Sequence, residues 1–171
     1  AVIYNYLELN KISEKFFFNY NLPEGRGDYK LIKINKKKIH FIDESYNSNP
    51  LSLKFALNNF SQLRTQSKRK IILLGDMLEL GKFSKKKHLE VAKIVNNTNI
   101  NRVYVFGKKI INTFNKIIPQ KRGKILYSSK DISNFLSNDI KDGEYLMIKG
   151  SNSTGLNNIS KKIRLGKINA I

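Results

Sequence analysis

Lys70-Ile71-Ile72-Leu73-Leu74-Gly75 is the stretch on which the fold turns. Its aliphatic run is unbroken and ends at a glycine, which reads as a strand covered on both faces rather than one with a wet side. Working outward, the pattern becomes regular. Upstream, Leu51–Leu63 carries Leu53, Ala56, Leu57 and Phe60 on one helical stripe, with Pro50 suited to the first turn. Downstream, Ser84 is placed to cap a helix whose buried side is Leu89, Ala92 and Val95. Val103–Phe106, Lys124–Tyr127 and Tyr145–Ile148 read as further strands. Lys109–Ile118 (stopped by Pro119), Asp131–Leu136 and Leu156–Arg164 read as the helices between and after them. Such alternation predicts an α/β fold built on a mostly parallel sheet. Ahead of it, Tyr29–Ile34 and Lys38–Ile42, separated by Asn35-Lys36-Lys37, predict a β-hairpin. The turn-rich Leu22-Pro23-Glu24-Gly25-Arg26-Gly27-Asp28 reads as a domain boundary. Two short amphipathic stretches before it, Val2–Leu9 and Ser13–Tyr20, cannot bury a core alone, so residues 1–25 are expected to be the end of another domain.

Composition narrows the function classes. The 171 residues include no cysteine, which excludes a disulfide scaffold, a Cys-ligated zinc site and thiol catalysis. Two histidines, His40 and His88, are too few for a His-rich metal site. No apolar run approaches the roughly 20 residues needed to span a bilayer, and no secretory leader is legible, so a soluble, cytoplasmic chain is expected. The net charge is +19, from 32 Lys and Arg against 13 Asp and Glu. Only 6 of the basic residues are Arg, while Asn and Ile number 21 and 22. That is the usage an A+T-rich genome writes at permissive surface positions. A nucleic-acid binder would more often use Arg, whose planar fork grips phosphate and guanine. The charge therefore reads either as a solvated surface or as the footprint of an anionic partner.

In a parallel sheet, ligands gather at the carboxyl ends of the strands, so the turns there are the ones to inspect. Asp43-Glu44-Ser45-Tyr46-Asn47-Ser48-Asn49-Pro50 follows one strand. Asp43 could accept from ribose hydroxyls, Tyr46 offers a flat face for a base, and Asn47 and Asn49 offer amides. The same residues would also serve as an ordinary loop leading into a helix. Leu74-Gly75-Asp76-Met77-Leu78-Glu79-Leu80-Gly81 suggests close approach to a ligand or a domain, or else a plain turn with Met77 and Leu78 packed inward. Ile148-Lys149-Gly150-Ser151-Asn152-Ser153-Thr154-Gly155 combines a lysine, hydroxyls and a helix start, which suits either a phosphate site or a capped helix. It is not a Walker loop. Arg26, between two glycines, could be aimed at a phosphate or could sit in a flexible hinge. His88, alone on a helix, is more often a packing residue than a catalytic one.

Taken together, these segments resemble the Mur ligase family, and within it the MurF type that adds D-alanyl-D-alanine. Asp43–Pro50 is similar to that group's Asp-Asp-Ser-Tyr-Asn-Ala-Asn-Pro string, and Gly75–Gly81 to its Gly-Asp-Met-Leu-Glu-Leu-Gly. His88 falls where the group has a histidine. Gly25-Arg26-Gly27 is similar to its domain-junction motif, and Lys149-Gly150-Ser151 to its last Lys-Gly-Ser. The resemblance implies a Rossmann-like C-terminal domain over residues 26–171, following the tail of a central ATPase domain at 1–25. It implies an ATP-dependent ligase of peptidoglycan precursor synthesis, joining D-Ala-D-Ala to UDP-MurNAc-tripeptide through an acyl phosphate, with Mg2+ held mainly by the central domain. On this basis Arg26, Asp43, Tyr46 and Asn47 would face the nucleotide, and Asn49, Lys149 and Ser151 the substrate side.

Three departures stand out. Glu44 replaces a second Asp, Ser48 replaces an Ala, and Asn152-Ser153-Thr154 replaces a segment that often holds an Arg. The central domain's P-loop, its catalytic glutamate and histidine, and its modified lysine do not occur in these residues. No catalytic residue is therefore assigned to the chain, which alone is expected to be inactive. The expected partners are the two substrates and the rest of the ligase, with a monomeric state, no membrane insertion and no specific nucleic acid. The competing reading is a basic nucleic-acid-binding module.

Overall fold

The computed structural model describes residues 24–167. Apart from Glu24 and Gly25, the segment expected to end another domain lies outside the described residues. The elements run β1 (Asp28–Ile34), β2 (Lys37–Glu44), α1 (Pro50–Gln62), β3 (Lys70–Gly75), α2 (Ser84–Asn96), β4 (Arg102–Phe106), α3 (Ile111–Phe114), β5 (Arg122–Leu126), α4 (Ser129–Asn134), β6 (Tyr145–Lys149) and α5 (Leu156–Arg164). The six strands form one sheet in the order β1-β2-β6-β3-β4-β5. Only β1 is antiparallel, paired with β2 through the expected hairpin, and the other pairings are parallel. Ile34 pairs with Lys37, so the turn is Asn35-Lys36, and Asn35 adopts a left-handed φ of 55°. Asparagine tolerates that conformation better than most residues.

Every residue of β3 is buried. One face of the sheet packs Ile71, Leu73, Leu146 and Ile148 against Ile132 and Phe135 and against Leu156, Ile159 and Ile163 of α5. The other face packs Ile72, Leu74 and Met147 against Leu53, Leu57 and Phe60 of α1 and Val91, Ala92 and Val95 of α2. Burying each such side chain contributes on the order of 1.5–3 kcal/mol, which makes β3 and β6 the energetic centre. The edge strand β1 has only Ile32 and Ile34 buried, in keeping with its single covered face. No helix among the described residues is long and apolar enough to cross a membrane.

Four expectations need correction. Ser84 does not cap α2: the preceding 3-10 turn Gly81–Phe83 leads into the helix, and the Ser84 amide bonds the Gly81 carbonyl. The buried stripe of α2 is His88, Val91, Ala92 and Val95, with Leu89 one position off it and only half-buried. The helix expected over Lys109–Ile118 is reduced to Ile111–Phe114: the turns on either side close by i→i+3 bonds, and the Ile118 amide donates to Asn96 Oδ1 (3.0 Å) instead of continuing the helix. The Lys109 and Ile110 amides donate to Asp76 Oδ1 (3.0 and 2.7 Å), and the Thr113 hydroxyl donates to the His88 carbonyl. Finally, β5 begins at Arg122, and a π-helical turn, Phe135–Asp139, extends α4.

Tyr104 of β4 fills the space over Gly123, where an added Cβ would lie 2.7 Å from the ring. Its ring packs on Phe135 at 4.0 Å and its hydroxyl donates to Asp139 Oδ2 at 3.1 Å. Burial, reinforced by the Asp139 charge, pushes the phenol up to about 12. The unfolded chain then gives up this proton first, so the neutral-phenol contribution to stability is lost as pH rises from about 10 to about 12. Absorbance titration of phenolate should show a late phase near 12 that Tyr104→Phe removes.

Candidate functional site

Strand register brings the singled-out segments to one edge. Asp43 pairs with Ile148, and Ile148 with Leu73, so β2, β6 and β3 end level. Their following loops, at 45–49, 150–155 and 76–80, leave the sheet side by side. The exits of β3 and β6 touch: a Cβ on Gly75 would lie 3.2 Å from Gly150 Cα and 2.6 Å from Leu156 Cδ1. Neither strand could carry a side chain there without displacing the start of α5.

Most of the candidate residues are engaged in tying these loops together. Ser151 is buried, and its hydroxyl accepts from the Leu78 amide (3.0 Å) and donates to the Ser48 carbonyl (3.1 Å). Its amide donates to the Asp76 carbonyl at 3.0 Å, so one serine joins three loops. Lys149 is 1% exposed, its stem in the core and its Nζ on the Asn47 carbonyl (3.0 Å) and Glu44 Oε2 (3.3 Å). Burial lowers its pKa below the ordinary lysine value, with Glu44 opposing the shift. Asn49 caps α1: its Oδ1 accepts from the Ser52 amide (2.8 Å) while its own amide donates to Ser52 Oγ (3.1 Å). His88 is enclosed, its Nε2 accepting from the Met77 amide (3.1 Å) and its Nδ1 bonded to the Ser84 carbonyl (2.8 Å). It therefore holds the 76–80 loop as a packing residue, and Met77 is buried beside it.

Asp43 is fully enclosed. Its Oδ1 accepts from the Ser45 amide (3.1 Å) and hydroxyl (2.6 Å). Its Oδ2 faces Arg164 Nε at 3.0 Å, a charge contact without hydrogen-bonding angles. Arg164 also reaches Glu24 (3.0 Å) and Asp28 (3.4 Å), clamping the start of the domain to α5. The stretch read as a boundary is thus strapped down: the Gly27 amide donates to the Asp43 carbonyl, and the Tyr46 amide to the Gly25 carbonyl. Gly25 adopts φ 79°, and a Cβ there would meet the Tyr46 amide nitrogen at 2.9 Å.

Arg26, Tyr46 and Asn47 remain exposed at this edge. The Arg26 guanidinium lies 4.3 Å from the Tyr46 ring centroid and has no carboxylate partner among the described residues. Beside them is a groove of about 260 Å³ lined by Tyr46, Asn47, Leu78, Glu79, Asn152 and Ser153. A flat aromatic face, an unneutralised guanidinium and several amides and hydroxyls suit a planar base and an anionic chain. Among the described residues no group of three or more His, Cys, Asp or Glu could hold a metal ion. Arg164 and the Glu44–Lys149 pair had no signal in the sequence, because each contact joins residues more than 100 apart in the chain.

The chain matches the family model described as the Mur ligase glutamate ligase domain over residues 30–152. It is 29% identical over 150 residues to the UDP-N-acetylmuramoyl-tripeptide–D-alanyl-D-alanine ligase of Rickettsia prowazekii, covering 87% of this chain and 32% of that protein. The enzyme of the same name from Buchnera aphidicola subsp. Baizongia pistaciae is 30% identical over 147 residues, covering 84% and 30%. The chain thus spans about a third of the length of these curated relatives. In fold it is similar to a MurF ligase from Thermotoga maritima crystallised with ADP (TM-score 0.72, 18% identity, 98% of this chain and 36% of that one). It is likewise similar to MurF from Acinetobacter baumannii (TM-score 0.74, 20% identity, 98% and 35%). None of these is a nucleic-acid-binding module, and the matches do not support that competing reading.

Replacing Ser151 by Ala removes the acceptor of one buried amide and the donor to one buried carbonyl. The expected loss is about 1–3 kcal/mol of unfolding free energy, read by urea denaturation.

Proposed function

The chain belongs to the Mur ligase family, and from that premise we propose that it is the C-terminal domain of an ATP-dependent ligase adding D-Ala-D-Ala to UDP-MurNAc-tripeptide in peptidoglycan precursor synthesis. The relatives named above carry that activity in their names and are about three times as long, which supports reading residues 26–171 as one domain of such an enzyme. The remaining chemistry, including the P-loop, would belong to the other domains.

The observation that carries the reading is the exposed Arg26–Tyr46 pair, on an edge where the buried Lys149 and Ser151 are committed to loop-to-loop bonds. Tyr46 would stack against the nucleotide base or ribose, and Arg26 would meet the phosphates with its fork of donors. Asn47 and the groove beside it would continue the nucleotide's edge of the cleft next to Tyr46. Asp43, Asn49, Lys149 and Ser151 act one step back: they fix the loops that present these groups, so their contribution is pre-organisation. Mg2+ would neutralise phosphate charge during transfer, and the described residues supply no ligand set for it. Closure of this edge over the central domain would exclude water from the activated carboxylate.

The test is ADP and phosphate release by the intact ligase with UDP-MurNAc-tripeptide, ATP and D-Ala-D-Ala. Release should depend on D-Ala-D-Ala, and the 171-residue chain alone should show none. Arg26→Ala should raise the KM for ATP about tenfold or more, the loss of a charge-assisted contact. Phosphate release that ignores D-Ala-D-Ala, or an unchanged KM in Arg26→Ala, would contradict the reading.

A further inference from the structure

The helical layer formed by α1 and α2 has an outer side that the fold does not use. Its inner side is filled by Leu53, Ala56, Leu57 and Phe60 and by Val91, Ala92 and Val95. Three large apolar side chains nevertheless stand in solvent on or beside this layer: Leu51 (64% exposed), Phe55 (58%) and Phe83 (56%). Among them stand Lys54, Lys82, Lys85, Lys86, Lys87 and Lys93, with no arginine. The surface is continuous. Leu51 and Lys54 line a trough with Lys87 and Glu90, and Glu90 also borders a second trough floored by Leu89 and ringed by Lys82, Lys85, Lys86 and Lys93. Glu90 is the sole carboxylate lining these troughs, and it is already paired with Lys87 at 2.8 Å. The lysines around it hold its carboxyl below the usual range.

We propose that this face is a docking surface for an anionic lipid bilayer, with the lysines at the headgroups and Phe83, Phe55 and Leu51 entering the interface. The inference does not depend on the ligase reading. Charge complementarity selects an anionic partner, and the chemistry of the patch selects among anionic partners. Lysine ammonium groups act as point charges and lack the guanidinium fork that reads guanine or clamps phosphate. Lys82 Nζ lies 5.5 Å from the centroid of the Phe83 ring, so a cation and an apolar ring already stand together at this surface. Amphipathic, lysine-rich surfaces with exposed Phe and Leu match the headgroup and acyl boundary.

The experiment is flotation of the 171-residue chain with vesicles of phosphatidylcholine containing about a third phosphatidylglycerol, against phosphatidylcholine alone. Binding to the anionic vesicles should exceed binding to the neutral ones at least tenfold and weaken as salt is raised from about 50 to about 500 mM. At about fivefold per lysine, the double variant Lys85→Glu/Lys86→Glu should lose at least twentyfold. The control is Lys130→Glu/Lys161→Glu, an equal charge change on the helices of the opposite sheet face, which should lose less than about threefold. Phe83→Ser with Leu51→Ser should remove the binding that survives high salt. If Lys85→Glu/Lys86→Glu fails to fold by circular dichroism, Lys82→Glu/Lys93→Glu takes its place with the same expected loss. Equal losses in the two charge-reversed pairs would reduce the effect to bulk charge and overturn the proposal. So would equal binding to neutral vesicles, or tighter binding to duplex DNA than to anionic vesicles.

Discussion

Ser151 stands where three loops meet, and its hydroxyl and amide bond its own loop to the other two. That arrangement requires the exits of β3 and β6 to approach within contact distance, which only Gly75 and Gly150 allow. The register of β2, β6 and β3 then delivers Tyr46, Leu78 and Asn152 to one groove. A functional edge made of loops is mobile by default. Here the loops are bonded to one another through buried groups, so the positions of the exposed side chains follow from the positions of the strands.

Electrostatics follows the same division between framework and surface. Three of the buried charges are paired, Lys149 with Glu44, Glu144 with Arg69, and Asp43 with an Arg164 that also holds Glu24 and Asp28, while Lys70 and Asp76 are met by neutral carbonyl, side-chain amide and backbone N–H groups. Removing one partner from such a pair leaves an uncompensated charge inside the protein, which costs far more than an intact pair contributes. Arg26 differs from these groups: it is exposed and stacked on Tyr46, with no carboxylate beside it among the described residues. Arg164, spent on three carboxylates, serves the framework, whereas Arg26 meets no carboxylate among the described residues. The large positive net charge is a third category. It lies mainly on exposed lysines, a group of which gathers around Leu89 of α2 and beside Phe83, just ahead of that helix.

The fold was legible because its strongest signals are local. The aliphatic run at Ile71–Leu74, the stripe Leu53–Phe60 and the asparagine turn of the hairpin each follow from neighbouring residues alone. The shortened α3 was not legible, since the Ile118 amide that would have continued it is bonded to Asn96, 22 positions away in the chain. The same holds at the start of α2, where a 3-10 turn displaced Ser84 from its expected capping role.

Short-range chemistry therefore determined which elements exist, their approximate limits, and which side of the sheet carries the informative loops. Tertiary structure decided what each polar residue in those loops does. Asp43, Lys149 and Ser151 have the chemistry of ligand-binding groups, yet the fold encloses them and uses their bonds to brace the edge. Arg26 and Tyr46 meet where the Gly25 carbonyl accepts from the Tyr46 amide, 21 positions further along the chain. The reason is physical: propensity and periodicity act over one or two turns of chain, whereas burial and partnership are set by strand register, which no local window contains.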